Sequence, residues 1–394
     1  MIRSLSRRMV FSALLAAFLT PTAACTGGHP PVDREQQAEL MAWLDENSQS
    51  PTELVLSLFD DHDVVILGEQ HKIKHQVLFV QSLLEPLRRR GVHTLATEFA
   101  RREDQALLDD VVTGAEWDEA GAREIGFRQF VPWGFREYVD IYKAAWQCNQ
   151  DRGSEEQVFR VLGMNGSPQW HLFETEADLE NPDIRREVYS ALNEDAWAQV
   201  VIDAVARGEK VLVYCGIHHG FSRYRQPIVK DGKFSHFDRS LRAGNYMREA
   251  LGDRVATVYM HAWWSGPKGY GDKKTWPAGG VIDAVMRARD GGPQPVGFRL
   301  TGTPFGQIAS DDNVYHHGYD DFRLEQFCDG WIYTKPLSQY EGVTPILDWI
   351  TEENLERARR GTIKPRQRTR NAMQYNYSIA KDASGPSQWA KDSR

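Results

Sequence analysis

Apolar, β-branched runs alternate with amphipathic stretches along most of this chain, and that alternation predicts an α/β fold. Val64-Val65-Ile66-Leu67 and Val211-Leu212-Val213-Tyr214 are apolar throughout, the pattern of strands buried on both faces of a parallel sheet. From 76 to 90, Val77, Leu78, Val80, Leu83, Leu84 and Leu87 form a helical stripe, and the run His93-Thr94-Leu95-Ala96-Thr97-Glu98-Phe99 follows as the next strand. Helical periodicity also marks 35–46, 102–112, 137–148, 184–207, 241–251 and 281–289. Strand patterns fall at 158–162, 254–260, 295–300 and 330–334. No repeat is evident and no Pro/Gly/Ser-rich linker cuts the middle. The reading is one domain over 34–358, mainly a parallel sheet flanked by helices, with long insertions, followed by a basic and polar tail (359–394) expected to be disordered.

Chemistry collects where the strands stop. Gly68-Glu69-Gln70-His71 follows the first strand, and Gly216-Ile217-His218-His219 follows the later one. A glycine there lets the backbone turn sharply, so that the next side chains face the crevice at the carboxyl edge of the sheet, where open α/β folds bind ligands. Glu98 ends its strand in the same way. Glu69, His71, Glu98 and His219 are therefore the candidate catalytic residues, with His71, His219 and Glu98 as candidate metal ligands. Imidazoles and carboxylates are the groups that move protons or hold a metal near neutral pH. His75 is disfavoured because His71 precedes the helix, and of the adjacent pair the Gly-x-x-His spacing favours His219 over His218. Asn165 in Gly163-Met164-Asn165-Gly166, Arg223 beyond His219, and His261 and Trp263 in an aromatic, glycine-interrupted loop are candidate ligand-binding residues.

The charge balance, 47 basic against 55 acidic residues, argues against a nucleic-acid partner. At the amino end, Arg3, Arg7 and Arg8 precede an apolar run from Met9 to Leu19, which is too short to span a membrane and reads as an export signal. Ser6-Arg7-Arg8-Met9-Val10-Phe11 has twin-arginine character. Thr22-Ala23-Ala24-Cys25 resembles a bacterial lipobox, which makes 1–25 a signal peptide with lipidation at Cys25, and 26–33 a tether. Cys148, Cys215 and Cys328 are too few and too widely spaced for a disulfide framework.

Leu67-Gly68-Glu69-Gln70-His71, a helix, a strand ending in Glu98-Phe99, and Gly216-Ile217-His218-His219 with a later proline together resemble the ChaN-like haem-binding lipoproteins. That family is related to erythromycin esterases and to the TIKI/TraB metalloproteases. Erythromycin esterases have one more residue between glutamate and histidine than Glu69-Gln70-His71 does, which sets this chain nearer ChaN. Gly-Ile-His-His departs from the Gly-Asn-Gly-His usual there. The resemblance implies a lipoprotein of the bacterial cell envelope, membrane-anchored and homodimeric, that binds haem or an iron-bearing small molecule for uptake. Taken alone, the side chains also fit a hydrolase that uses a divalent metal or a carboxylate-oriented histidine.

Overall fold

The computed structural model describes residues 32–153 and 156–392, so the expected export signal, Cys25 and most of the 26–33 tether lie outside the described residues. The main sheet has seven strands, numbered here in chain order within that sheet. They are β1 (Val64–Glu69), β2 (Thr94–Arg101), β3 (Arg160–Asn165), β4 (Val211–Gly216), β5 (Val255–Met260), β6 (Val296–Arg299) and β7 (Gly330–Tyr333). Their order is β6-β7-β5-β1-β4-β2-β3. Every pairing is parallel except β6 against β7. All residues of β1, β4 and β5 are buried, as their unbroken apolar sequence requires of strands covered on both faces.

Because the strands are parallel, their carboxyl ends gather on one edge. β4 lies between β1 and β2, and the β1–β4 register pairs Glu69 with Gly216. The glutamate ending β1, the turn after β4 and the end of β2 are thus immediate neighbours. The helix Lys74–Arg89 leads from β1 to β2 and buries Val77, Val80, Leu83, Leu84 and Leu87. Leu78, assigned to the same stripe by pattern, is 44% exposed, one position off the buried face.

Two expectations give way. The single helix over 184–207 is two, Pro182–Val188 and Glu194–Ala206, and the break places Glu194 at a helix start. The tail is ordered: Ala372–Ala383 and Gly385–Asp392 are helices. Tyr375, Ile379 and Ala383 recur every four residues on one helix face and join the main core, a stripe hidden in a polar composition. Several basic groups of the tail cap backbone carbonyls rather than facing water. Arg368 reaches the carbonyls of Thr362 and Trp170, and Arg359 that of Arg370.

Candidate active site

Glu69 is the last residue of β1, and its side chain is withdrawn from solvent among aromatic rings. Its Oε1 accepts hydrogen bonds from His71 Nδ1 (2.7 Å) and from the Tyr138 hydroxyl (2.6 Å); its Oε2 accepts one from the Tyr214 hydroxyl. A buried carboxylate is tolerable only when paired and hydrogen-bonded in this way. Burial raises both phenols well above their usual range, and the charge of Glu69 adds to it, so they remain donors. The turn that presents His71 is closed by Lys72 at φ 70°, a left-handed conformation, with its N–H donated to the Tyr138 hydroxyl (2.9 Å). Trp133 packs edge-on against the imidazole, with ring centres 5.2 Å apart.

The second histidine has a partner of its own. His219 Nδ1 lies 2.7 Å from Glu194 Oε1, and Glu194 also meets Arg242 (3.3 Å) and the Ala243 N–H (2.9 Å). Between the two imidazoles stands Glu98. Its Oε1 is 3.8 Å from His71 Nε2 and 3.7 Å from His219 Nε2, while its Oε2 accepts the Gly216 N–H at 2.8 Å. The site is thus two carboxylate-supported imidazoles that turn their free Nε2 atoms toward one shared carboxylate. The imidazoles keep 36% and 28% of their side-chain surface in contact with solvent, so the center is reachable.

Burial alone would lower the pKa of His219, but the charges of Glu98 and Glu194 and the Glu194 hydrogen bond outweigh it and push the value up to about 9. His71 is raised as well: the opposing effect of burial is exceeded by Glu98 and Glu69, and the proton on His219 works against one on His71. His218 is driven the other way, to about 3, by burial and then by the charge of His219. It stacks on Phe221 and lies 3.0 Å from the Tyr315 hydroxyl, a packed neighbour rather than a member of the cluster.

Both glycines serve a purpose other than the expected sharp turn, since neither has a positive φ. A Cβ at Gly216 would lie 2.7 Å from His71 Cε1, and one at Gly68 would lie 2.5 Å from Ile217 Cδ1. They are glycines because the chains approach too closely for a side chain.

Of the candidates read from sequence, Glu69, His71, Glu98 and His219 come together, and Asn165 stands beside them, donating to the Glu98 carbonyl at 3.2 Å. The rest do not join. Arg223 pairs with Asp329, whose other oxygen accepts the N–H of Thr257 inside β5, away from the carboxyl edge. His261 is 1% exposed, held between Asp283 and Trp331, and Trp263 is packed edge-on to Trp276 in the interior. That aromatic loop is core. His75 is likewise outside, edge-on to Tyr340. Among the described residues, no group of three or more His, Cys, Asp or Glu side chains is placed to hold a metal ion, so the expected set His71, His219 and Glu98 assembles without forming a metal cage. The residues that sequence reasoning missed are Glu194, Tyr138 and Tyr214.

A parallel α/β sheet with an acid–base cluster at its carboxyl edge is the class this architecture defines. Residues 55–151 match the family described as haem-binding uptake, Tiki superfamily, ChaN, a stretch that carries Glu69, His71, Glu98 and Tyr138. The chain is thus similar to the ChaN/Tiki superfamily over that segment, which carries part of the cluster. Comparison with curated proteins gives no match. Among solved structures, a succinoglycan biosynthesis protein shares the fold at 10% identity and TM-score 0.50, over 79% of this chain and 99% of its own. An erythromycin esterase in its open conformation gives 10% identity and TM-score 0.46, over 76% and 95%. ChaN of Campylobacter jejuni, described with cofacial haem binding, gives 14% identity and TM-score 0.34, over 57% and 88%.

Proposed function

We propose that the cluster is a hydrolytic acid–base site acting on an ester. The observation that carries this reading is the pair of imidazoles, each fixed through Nδ1 by its own carboxylate and each directing Nε2 into the same open space beside Glu98. Two positioned imidazoles supply an acid and a base when one keeps its proton while the other gives its own up. His219 has the stronger hold on its proton and is the acid. His71, whose proton is opposed by that of His219, is the base. His71 Nε2 takes a proton from water as the oxygen adds to the acyl carbon, and Glu69 stabilises the imidazolium. The Nε2–H of His219 hydrogen-bonds the carbonyl oxygen as it gains charge, then passes its proton to the alkoxide as the carbonyl re-forms and the acyl C–O bond breaks; His71 returns its proton to solvent and His219 takes one up. Glu98, anchored by the Gly216 N–H, keeps the two Nε2 atoms facing each other.

The test is hydrolysis of a panel of chromogenic esters by wild type, His71→Ala and Glu69→Gln. Loss of a positioned general base costs roughly 10²–10⁴ in rate. Equal rates in the three proteins, with folding confirmed by circular dichroism, overturn the reading.

Haem binding is the second reading, supported by the family match over 55–151. A carboxylate on Nδ1 is the support an axial imidazole receives in metal sites. The arrangement fits haem less well than it fits acid–base work, because Nε2 of each imidazole already faces Glu98 and a macrocycle on either ring would have to part that contact. Haem titration of wild type against His71→Ala and His219→Ala decides it: an altered Soret band in one variant supports haem at the crevice, and three identical titrations remove it. Export and lipid attachment at Cys25, and hence an envelope location, form part of the proposal on the strength of Thr22-Ala23-Ala24-Cys25. Mass spectrometry of the mature amino terminus tests them.

A further inference from the structure

Beyond Glu98, β2 runs on to Arg101, roughly 10 Å along the strand at about 3.3 Å per residue. Arg101 enters a groove formed by two joined cavities of about 270 and 180 Å³ that share Arg101, Arg128, Trp170 and Gly361. Arg360 lines the first cavity and Arg357 the second. A run of rings connects this groove to the cluster. His71 packs on Trp133, Trp133 on Phe130 at 6.1 Å, and Phe130 on Trp170 at 6.2 Å, and both Phe130 and Trp170 line the groove.

The charge there is unbalanced. Arg101 is held in a two-point grip by Asp104 (2.5 and 2.9 Å), Arg128 reaches Asp104 (3.0 Å) and Glu124 (2.6 Å), and Arg357 shares Glu124 (2.5 Å). Arg360 is exposed and makes no hydrogen bond or ion pair among the described residues. Four guanidinium groups therefore face two carboxylates. A guanidinium has five N–H donors, and Arg101 spends three, on Asp104 and on Ser167 Oγ (2.9 Å), which leaves two in a fork fixed by Asp104. A fixed fork with donors to spare, a second free arginine and the indole of Trp170 as a wall make a site for a planar or tetrahedral oxyanion attached to an apolar or ring-bearing body.

We propose that this groove binds a carboxylate or phosphoryl group of the substrate, so that the molecule acted on at the Glu/His cluster is an anionic ester. The word substrate rests on the hydrolytic reading above; anion binding in the groove does not. The tail supplies Arg360, next to Arg357 at the end of the preceding domain, which gives the tail's ordered start a role in recognition.

The experiment is isothermal titration of the full chain with pyrophosphate and, separately, with succinate. Three proteins are compared: wild type, Arg360→Glu and the distant control Lys233→Glu on an exposed hairpin. Arg360 has no partner to lose, so its variant folds. The expected result is binding of at least one anion by wild type and by Lys233→Glu, weakened at least tenfold in Arg360→Glu. Which of the two anions binds assigns the phosphoryl or the carboxylate source. No binding of either anion at millimolar concentration, or equal binding by all three proteins, overturns the groove. Intact, Arg360-dependent anion binding in a protein that hydrolyses no ester keeps the groove and removes only the hydrolytic reading.

Discussion

His219 and Glu194 are 25 positions apart in sequence and 2.7 Å apart at their side chains. That contact makes His219 the counterpart of His71, whose carboxylate is only two positions away. Removing one nearby opposite charge shifts a pKa by about 1–3, so Glu194→Gln should return the imidazole from about 9 toward its ordinary 6.5. The check is an NMR titration of the His219 ring protons. In the hydrolytic reading, the alkaline limb of the rate profile, where the acid loses its proton, moves down with it. A His219 midpoint unchanged in the variant shows that Glu194 does not support it.

The same histidines set the pH dependence of folding. His219 has a folded pKa of about 9 against 6.5 in its ordinary state, so its contribution is complete below 6.5 and is lost as pH rises through 9. At 1.36 kcal/mol per pKa unit this is on the order of 3 kcal/mol. His75 and His218 are depressed to about 3, so the unfolded chain takes up protons there that the folded chain refuses, and their contribution is lost as pH falls below 6.5. Stability should therefore peak near pH 6–7. Urea unfolding from pH 4 to pH 10 measures it, and a curve still rising between 7 and 9 contradicts the assignment for His219.

The sheet was largely legible because parallel strands must be apolar on both faces, and Val64-Val65-Ile66-Leu67 and Val211-Leu212-Val213-Tyr214 have no other comfortable place. Glu69, His71 and His219 were legible for the opposite reason, since charged side chains interrupt those runs just where the strands end; Glu98 interrupts its run too, but β2 continues past it to Arg101 rather than ending there as expected. Glu194 was hidden because it starts a helix in a polar stretch, where an acidic residue is expected to complement the helix end. A break in the 184–207 periodicity at Ser190-Ala191-Leu192 was the available signal. Tyr138 falls in a helical stretch and Tyr214 in an apolar strand run, and their hydroxyls acquire meaning only once Glu69 is placed between them. His261 and Trp263 misled because an aromatic loop at a strand end looks the same whether it packs on a ligand or, as here, on its own interior.

Gly216 offers a test of how tightly the cluster is set. An alanine there would put its Cβ 2.7 Å from His71 Cε1 and 3.5 Å from Glu98 Oε2, closer to the ring than a carbon contact allows. The imidazole is partly solvent-facing and can yield, so the fold should survive while the site opens. Gly216→Ala is expected to keep its circular dichroism spectrum and lose at least tenfold in ester hydrolysis, since displacements of about 1 Å cost as much as 10² in rate. Full activity would mean that the spacing of His71 and Glu98 does not matter to the chemistry.

The tail carries the last expectation. Tyr375 is 4% exposed, packs into the main core and shares a hydrogen bond with Thr362 Oγ1 at 2.9 Å, and Asp382 pairs with Lys72, the left-handed residue that follows His71. Truncating a buried aromatic ring to alanine costs about 3–5 kcal/mol. Tyr375→Ala should therefore lower the urea midpoint of the whole chain by that order. Asp382→Asn, an exposed ion pair, should cost under about 1 kcal/mol. If hydrolysis is established, Asp382→Asn reports on the site instead: releasing Lys72 loosens the turn that holds His71 against Glu69, so the rate should fall more than the stability does. Unchanged stability in Tyr375→Ala would mean that the tail does not dock on the core in solution.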